Sequence, residues 1–202
     1  METLAKIKAT GIILAGGQSS RMRKNKAFLP VGNLPIIERV LKELQEVCQE
    51  LIIITNTPEE YQHLGVPVAV DLIPRKGPLS GVHAGLVFSK YYYNLVVACD
   101  MPFIHPKLAT FLLTQTPGFD AVIPRIQGQP QPLFAVYSKA CIKPIERRLH
   151  SEKRRTTDLY QEIKVLWVEE EVIRLIVDPE IVFCNVNTPQ DWDRVNTRIK
   201  NE

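Results

Sequence analysis

Hydrophobic and polar positions along this chain switch repeatedly between a short apolar run and a helical period. Residues 12–15 are an aliphatic run that stops at the pair Gly16-Gly17, the pattern of a buried strand ended by a turn. Ile36, Ile37, Val40, Leu41, Leu44, Val47 and Cys48 then recur at helical spacing, with Pro35 suited to the first turn. Residues 51–55 form a second, β-branched strand with Asn56 at its carboxyl end. Thr57-Pro58-Glu59-Glu60 has the form of a capping box with proline at N1 and predicts a short helix. Residues 66–70 predict a third strand, ending at Asp71.

A turn-rich loop follows, Arg75-Lys76-Gly77-Pro78-Leu79-Ser80-Gly81, leading into a helix over 82–89. Residues 94–99 are apolar enough to be a central strand buried on both faces, closed by Asp100. Pro106 opens a helix through about Leu113, strands are predicted over 121–124 and 132–137, and a helix over 139–149. Residues 165–168 read as an edge strand and 181–186 as the last strand. Thr188 caps a final helix, with Pro189 at N1, Asp191 in the first turn, and Trp192, Val195 and Ile199 as its apolar stripe. This strand–helix rhythm predicts an α/β fold: three-layer and Rossmann-like, a mostly parallel central sheet with helices on both faces. No repeat, linker or low-complexity segment interrupts it, so the 202 residues are expected to form one domain.

In such sheets ligands bind outside the carboxyl ends of the strands. The turn at Gly16-Gly17, Asn56 and Asp71 all fall there. Asp100 joins them, and an acid directly after a buried strand is costly unless it is paired or holds a cation. A carboxylate so placed suits Mg²⁺, which takes its other ligands from water and substrate phosphates; the plainer role is to cap the next turn. Ser19, Ser20, Arg21, Arg23, Lys24 and Lys26 follow the glycine pair. Bare amides followed by cations suit a polyphosphate, whereas a solvated basic face is the alternative. The spacing is neither GxxxxGK[ST] nor GxGxxG. A second cationic tract, Arg147, Arg148, Lys153, Arg154 and Arg155, is explained mostly by helix C-terminal charge compensation. Arg155 is its candidate contact for a second, anionic substrate.

Net charge changes this picture little: +3 is too small for a nucleic-acid partner. Cys48, Cys99, Cys141 and Cys184 are widely spaced, which disfavours zinc or a disulfide framework and favours free thiols in a reducing compartment. His63, His83, His105 and His150 show no metal-ligand spacing and receive no catalytic role. Lys6 and Lys8 before an apolar segment mimic a leader peptide, but that segment is short and a basic run follows it. No stretch reaches the apolar length of a membrane span, so no membrane partner and a cytoplasmic location are expected.

The segment LAGGQSSRMRKNK resembles the LAGGxSxRMGxxK signature of nucleotidyltransferases, in particular the molybdenum cofactor guanylyltransferases. Leu14, Ala15, Gly16, Gly17, Ser19, Arg21, Met22 and Lys26 fall in register, while Arg23 stands where the family has glycine. GPLSG, CDMPF, QPLFAVY and NVNTPQD follow in the family's order. The resemblance implies the nucleotide-diphospho-sugar transferase type of fold, with nucleotide binding over about 1–105 and acceptor binding over about 106–202. It implies Mg²⁺-dependent transfer of GMP from GTP to the terminal phosphate of Mo-molybdopterin, giving the guanine dinucleotide cofactor and pyrophosphate. Arg21, Lys26 and Asp100 would then be catalytic, with Asp100 the Mg²⁺ ligand. Leu14, Ala15, Gly16, Gly17, Lys26, Asn56, Asp71 and Asp100 would bind GTP; Asn185 and Asn187, with Arg155, would face the acceptor. Cofactor-biosynthesis proteins and recipient molybdoenzymes are the implied protein partners. The residues by themselves leave open a cytidylyl or sugar-phosphate relative and a nucleotide-binding homologue impaired in catalysis.

Overall fold

The structure, a computed structural model, describes residues 6–16, 25–73, 77–151 and 159–200. Gly17, Arg21, Arg23 and Arg155 lie outside them. The described chain opens with β1 (Ile7–Leu14); a 3₁₀ turn (Lys26–Phe28) and a small hairpin of β2 (Pro30–Val31) and β3 (Leu34–Pro35) come next among the described elements. Next come α1 (Ile36–Gln45), β4 (Cys48–Ile54), 3₁₀ turns at Pro58–Glu60 and Gln62–Leu64, β5 (Val68–Ala69) and α2 (Pro78–Phe88). Then follow β6 (Tyr93–Ala98), α3 (Pro106–Thr114), β7 (Ala121–Ile126), β8 (Gln129–Pro130) and β9 (Phe134–Ser138). A 3₁₀ turn (Lys139–Cys141) leads into α4 (Ile142–His150), and β10 (Val165–Glu169), α5 (Glu170–Arg174), α6 (Pro179–Val182) and α7 (Pro189–Lys200) complete the described chain.

The main sheet has the strand order β10-β7-β9-β6-β1-β4-β5, with β8 paired to β7. β4, β1 and β6 run parallel, Ile12 lying between Ile52 and Val96, with a register shift between Ile7 and Thr10 in the β1–β4 pair. β9 is antiparallel to both β6 and β7 and is the one reversed strand on this path. β6 takes the central position that its apolar sequence predicts, and β10 is an edge strand, with β5 at the opposite edge.

Alternating residues of β1 feed two cores. Ile13 packs with α1, α3 and the C-terminal helices, whereas Ile12 and Leu14 pack with α2 and α4. The sheet is thus the middle of three layers. α1 buries Ile36, Ile37, Val40, Leu41 and Leu44, each worth roughly 1.5–3 kcal/mol of transfer free energy before chain entropy is counted. α2 lies unusually close to β1: a Cβ on Gly85 would stand 2.4 Å from Ile12 Cγ2. Only glycine permits that approach, and it sets the depth of the α2 N-terminus against the β1 tip.

Several boundaries differ from the sequence reading. α2 starts at Pro78, so most of the expected GPLSG loop is its first turn, entered through Gly77 at φ +75°. Thr57 makes no side-chain cap, because its Oγ1 lies 3.4 Å from that of Thr55 and Glu60 is held elsewhere; the expected short helix is a 3₁₀ turn. The third strand shrinks to Val68–Ala69. The expected last strand over 181–186 does not form. Asp178 caps Glu180 N at 2.9 Å with Pro179 at N1, so helix α6 runs to Val182 and an irregular segment follows. The cap of α7 does form: Asp191 N donates to Thr188 Oγ1 at 3.2 Å, and Thr188 N donates back to Asp191 Oδ2 at 2.9 Å. Arg147 and Arg148 both pair with Glu162, in keeping with a structural role for that part of the cationic tract.

Candidate active site

Parallel strands leave their carbonyl ends and the following turns on one edge, and here that edge opens into a cleft of 1470 Å³. β1 contributes Leu14, Ala15 and Gly16 to its lining; β4 contributes Ile54, Thr55 and Asn56; β6 contributes Ala98, Cys99 and Asp100. Asp71 follows β5, and Gly77, Pro78 and Gly81 bring the α2 N-terminus to the wall. A Cβ on Gly16 would meet none of the described residues within 4 Å.

Asn56 and Asp71 form one unit, Asn56 Nδ2 donating to Asp71 Oδ2 at 3.0 Å. A Cβ on Gly81 would lie 3.7 Å from Asp71 Oδ1 and 3.1 Å from Leu14 Cδ2, so this corner of the cleft is narrow. Across from it, burial pushes the Asp100 carboxyl above the ordinary aspartate range, and the Lys26 ammonium pulls it partly back. The neighbouring Cys99 thiol is pushed up to about 12, chiefly by burial, so it stays an unreactive thiol. Lys26 Nζ donates to Asn187 Oδ1 at 2.8 Å. Val186 N, in turn, donates to Asp100 O at 2.9 Å. The irregular segment after α6 is therefore tied to the tip of β6, with Asn185 and Asn187 in the cleft wall on either side of buried Val186.

Of the residues singled out in the sequence, Leu14, Ala15, Gly16, Asn56, Asp71, Asp100, Asn185 and Asn187 share this cleft, and Lys26 reaches it through Asn187. Asn185 and Asn187 sit there without the strand that the sequence suggested. No histidine lines the cleft: His105 caps α3 through Lys107 N, and His83 lies 3.1 Å from Glu146. Sequence reading missed Asn25, Thr55, Thr57, Glu60 and Leu133. Asn25 carried a local signal, a cap residue directly before Lys26; its bond to Glu60, 35 residues away, carried none.

Among the described residues no group of three or more His, Cys, Asp or Glu side chains is arranged to hold a metal ion. Asp100 is nevertheless a fitting donor for Mg²⁺: one carboxylate suffices for an ion that draws its remaining ligands from phosphates and water. Its desolvated position strengthens attraction to a cation.

An acid at the tip of a central strand, Gly16 just past the tip of its neighbour and a polar pair at the far wall suit a nucleotide-handling α/β enzyme, here a nucleotidyltransferase. The chain belongs to the family described as the MobA-like NTP transferase domain, whose model matches residues 11–165. A probable molybdenum cofactor guanylyltransferase of Pelotomaculum thermopropionicum is 46% identical over 96% of this chain and 95% of its own length. A molybdenum cofactor guanylyltransferase of Desulfosudis oleivorans is 36% identical over 95% of this chain and 96% of its own. The solved structure of molybdopterin-guanine dinucleotide biosynthesis protein A from Archaeoglobus fulgidus superimposes with a TM-score of 0.83 at 25% identity, covering 96% of this chain and all of that one. No described helix is long and apolar enough to cross a membrane.

Proposed function

We infer that this enzyme is a molybdenum cofactor guanylyltransferase, transferring GMP from GTP to the terminal phosphate of Mo-molybdopterin and releasing pyrophosphate. A phosphate oxygen of the acceptor attacks the α-phosphorus of GTP; the bond to the β-phosphate breaks and pyrophosphate carries the electron pair away. The nucleophile is already anionic, so no general base is needed, and the lining offers no histidine for one. Catalysis then rests on alignment and on charge neutralisation.

Asp100, Asn56–Asp71 and the β1 tip surround one cavity, and this convergence carries the reading. Leu14, Ala15 and Gly16 present backbone groups to the nucleotide, and Asn56 with Asp71 completes its site. Lys26, with Arg21 by resemblance, offsets charge on the triphosphate and the departing pyrophosphate. Asp100 would hold Mg²⁺, which supplies charge neutralisation between the triphosphate and the incoming phosphate. Asn185 and Asn187 take the acceptor, dividing the work between the part up to about residue 105 and the part beyond it.

Pyrophosphate release from GTP, CTP, ATP or UTP in the presence of Mo-molybdopterin tests this directly. Release with GTP and Mg²⁺ is the expected outcome, and a clear preference for CTP would overturn the guanylyl assignment. Thermal shifts with the four nucleotides, with and without Mg²⁺, rank their binding to the native state independently of turnover.

A further inference from the structure

Tyr61 is completely buried, yet it keeps a polar hydroxyl where phenylalanine would pack equally well. That hydroxyl touches both ends of the segment between the β1 tip and Lys26. At the outgoing end it donates to Ala15 O at 3.3 Å, while Ala15 N is held by Ile54 O at 2.8 Å. At the returning end it accepts from Asn25 Nδ2 at 2.9 Å. Asn25 also donates to Glu60 Oε2 at 2.7 Å, and its Oδ1 accepts from Ala27 N at 3.1 Å, capping the 3₁₀ turn that carries Lys26. The Phe28 ring, on that same turn, lies 5.1 Å from the Tyr61 ring.

We propose that Tyr61 is a positioning residue: its hydroxyl pins the β1 tip to the turn bearing Lys26, and so fixes the spacing of the groups that grip the triphosphate. A phenol has one proton to give and can also accept one, and here both capacities are used. Burial pushes the hydroxyl up to about 12, so it remains a donor throughout the range in which the enzyme works. Without the hydroxyl, Gly16 and Lys26 stay covalently connected but lose a common reference point. Nucleotide binding must then order them, which weakens it. The far corner, where Asn56 holds Asp71 beside Gly77 and Gly81, is tied by its own hydrogen bond and keeps its geometry.

The inference rests on the reading that Gly16 and Lys26 hold the triphosphate, and the test separates the two. Calorimetric titration of the whole protein with GTP and with GMP, both with Mg²⁺, measures how much the added phosphates contribute. In the wild type GTP binds the tighter of the two. In Tyr61→Phe, GTP affinity falls about tenfold, as expected for a lost pair of hydrogen bonds, while GMP affinity stays within about twofold. Asn25→Ala weakens GTP at least as much, since it also removes the Ala27 cap and the Glu60 bond, and the double variant is little worse than Asn25→Ala alone because the Tyr61 link is already cut. Unchanged GTP affinity in Tyr61→Phe, or equal weakening of GTP and GMP, overturns the proposal, since a merely structural role affects both ligands alike. Should Tyr61→Phe fail to fold, Asn25→Ala at its half-buried position carries the same comparison. A wild type that binds GTP no more tightly than GMP removes the triphosphate reading and the clamp together.

Discussion

The two walls of the cleft are built by different physics. On the wall proposed for the nucleotide, Gly16, Asn56, Asp71 and Asp100 stand at or just beyond the tips of parallel strands, those of β1, β4 and β6 being buried, so the sheet's own register sets their spacing. On the wall proposed for the acceptor, Asn185 and Asn187 stand on an irregular segment tied by Val186 N to Asp100 O, by Lys26 to Asn187, and by the Thr188–Asp191 cap. The first wall inherits rigidity from the core; the second depends on a few hydrogen bonds that substitution can remove one at a time. Disturbing the nucleotide wall should therefore cost chemistry, and disturbing the acceptor wall should cost acceptor affinity.

Asp100→Asn makes the sharpest break. Removing the charge while keeping the shape should lower guanylyl transfer by about 10³, the upper end for a transition-state charge contact, as read by pyrophosphate release. The same change should raise the melting temperature of the ligand-free protein. Burial lifts this carboxyl's pKa in the folded state, so its contribution to stability is present below the unfolded value and is lost as pH rises through the folded one. The amide escapes that loss. For a chain of this size each kcal/mol relieved is worth roughly 2–4 °C. In the wild type the acid limb of activity should lie above the ordinary aspartate value of 3.8, because the ionised form is the one that can hold a cation. A variant that turns over normally, or melts lower than the wild type, removes Asp100 from the role.

Lys26→Ala comes next, with a loss of about 10² in transfer. It also frees Asn187, so this substitution alone should disturb both walls: GTP affinity falls and the acceptor KM rises together. An effect confined to the acceptor would place Lys26 on the other side of the comparison.

The same contrast explains what the sequence made legible. Strand tips announce themselves, because a buried aliphatic run ending in Gly16, Asn56 or Asp100 has few alternatives; the three-layer architecture and most of the nucleotide wall follow from periodicity. β9 could not be foreseen as reversed, since direction depends on connections rather than on local pattern. Residues 181–186 misled because Ile181, Val182 and Phe183 suit a strand, yet Asp178-Pro179 is a strong helix start, and cap chemistry prevailed over β propensity. The bond between Asn25 and Glu60 was invisible for another reason: it joins two turns 35 residues apart, and no periodicity links them.

Asn187→Ala probes chiefly the acceptor wall, its link to the other being the bond from Lys26. It should raise the KM for Mo-molybdopterin about tenfold, the worth of one hydrogen bond to a charged ligand, and shift GTP affinity by no more than about threefold. Calorimetry with GTP and steady-state kinetics in the acceptor separate these; a larger loss for GTP would show that Asn187 serves the nucleotide through Lys26.

Asp191→Ala is the mildest and tests whether the acceptor wall is held from behind. Asp191 Oδ2 accepts from Thr188 N, Thr188 Oγ1 and Asn187 N at 2.9, 2.8 and 3.2 Å, so its loss unpins Asn187 without touching the cleft. A lost cap costs about 1 kcal/mol, or roughly 2–4 °C in melting temperature. The hydrogen bond from Thr188 holds this carboxyl below its ordinary value, so its stabilisation is present above that value and disappears as the pH falls through the folded-state pKa. The difference in melting temperature between wild type and variant should therefore be full at neutral pH and close as the pH drops below 3.8. At neutral pH the acceptor KM should rise about threefold, less than for Asn187→Ala, with GTP affinity unchanged, because the loosened segment still carries its asparagines. An acceptor KM equal to that of the wild type, alongside the lower melting temperature, would mean that Val186 and Lys26 fix the wall unaided and that the cap serves only helix α7.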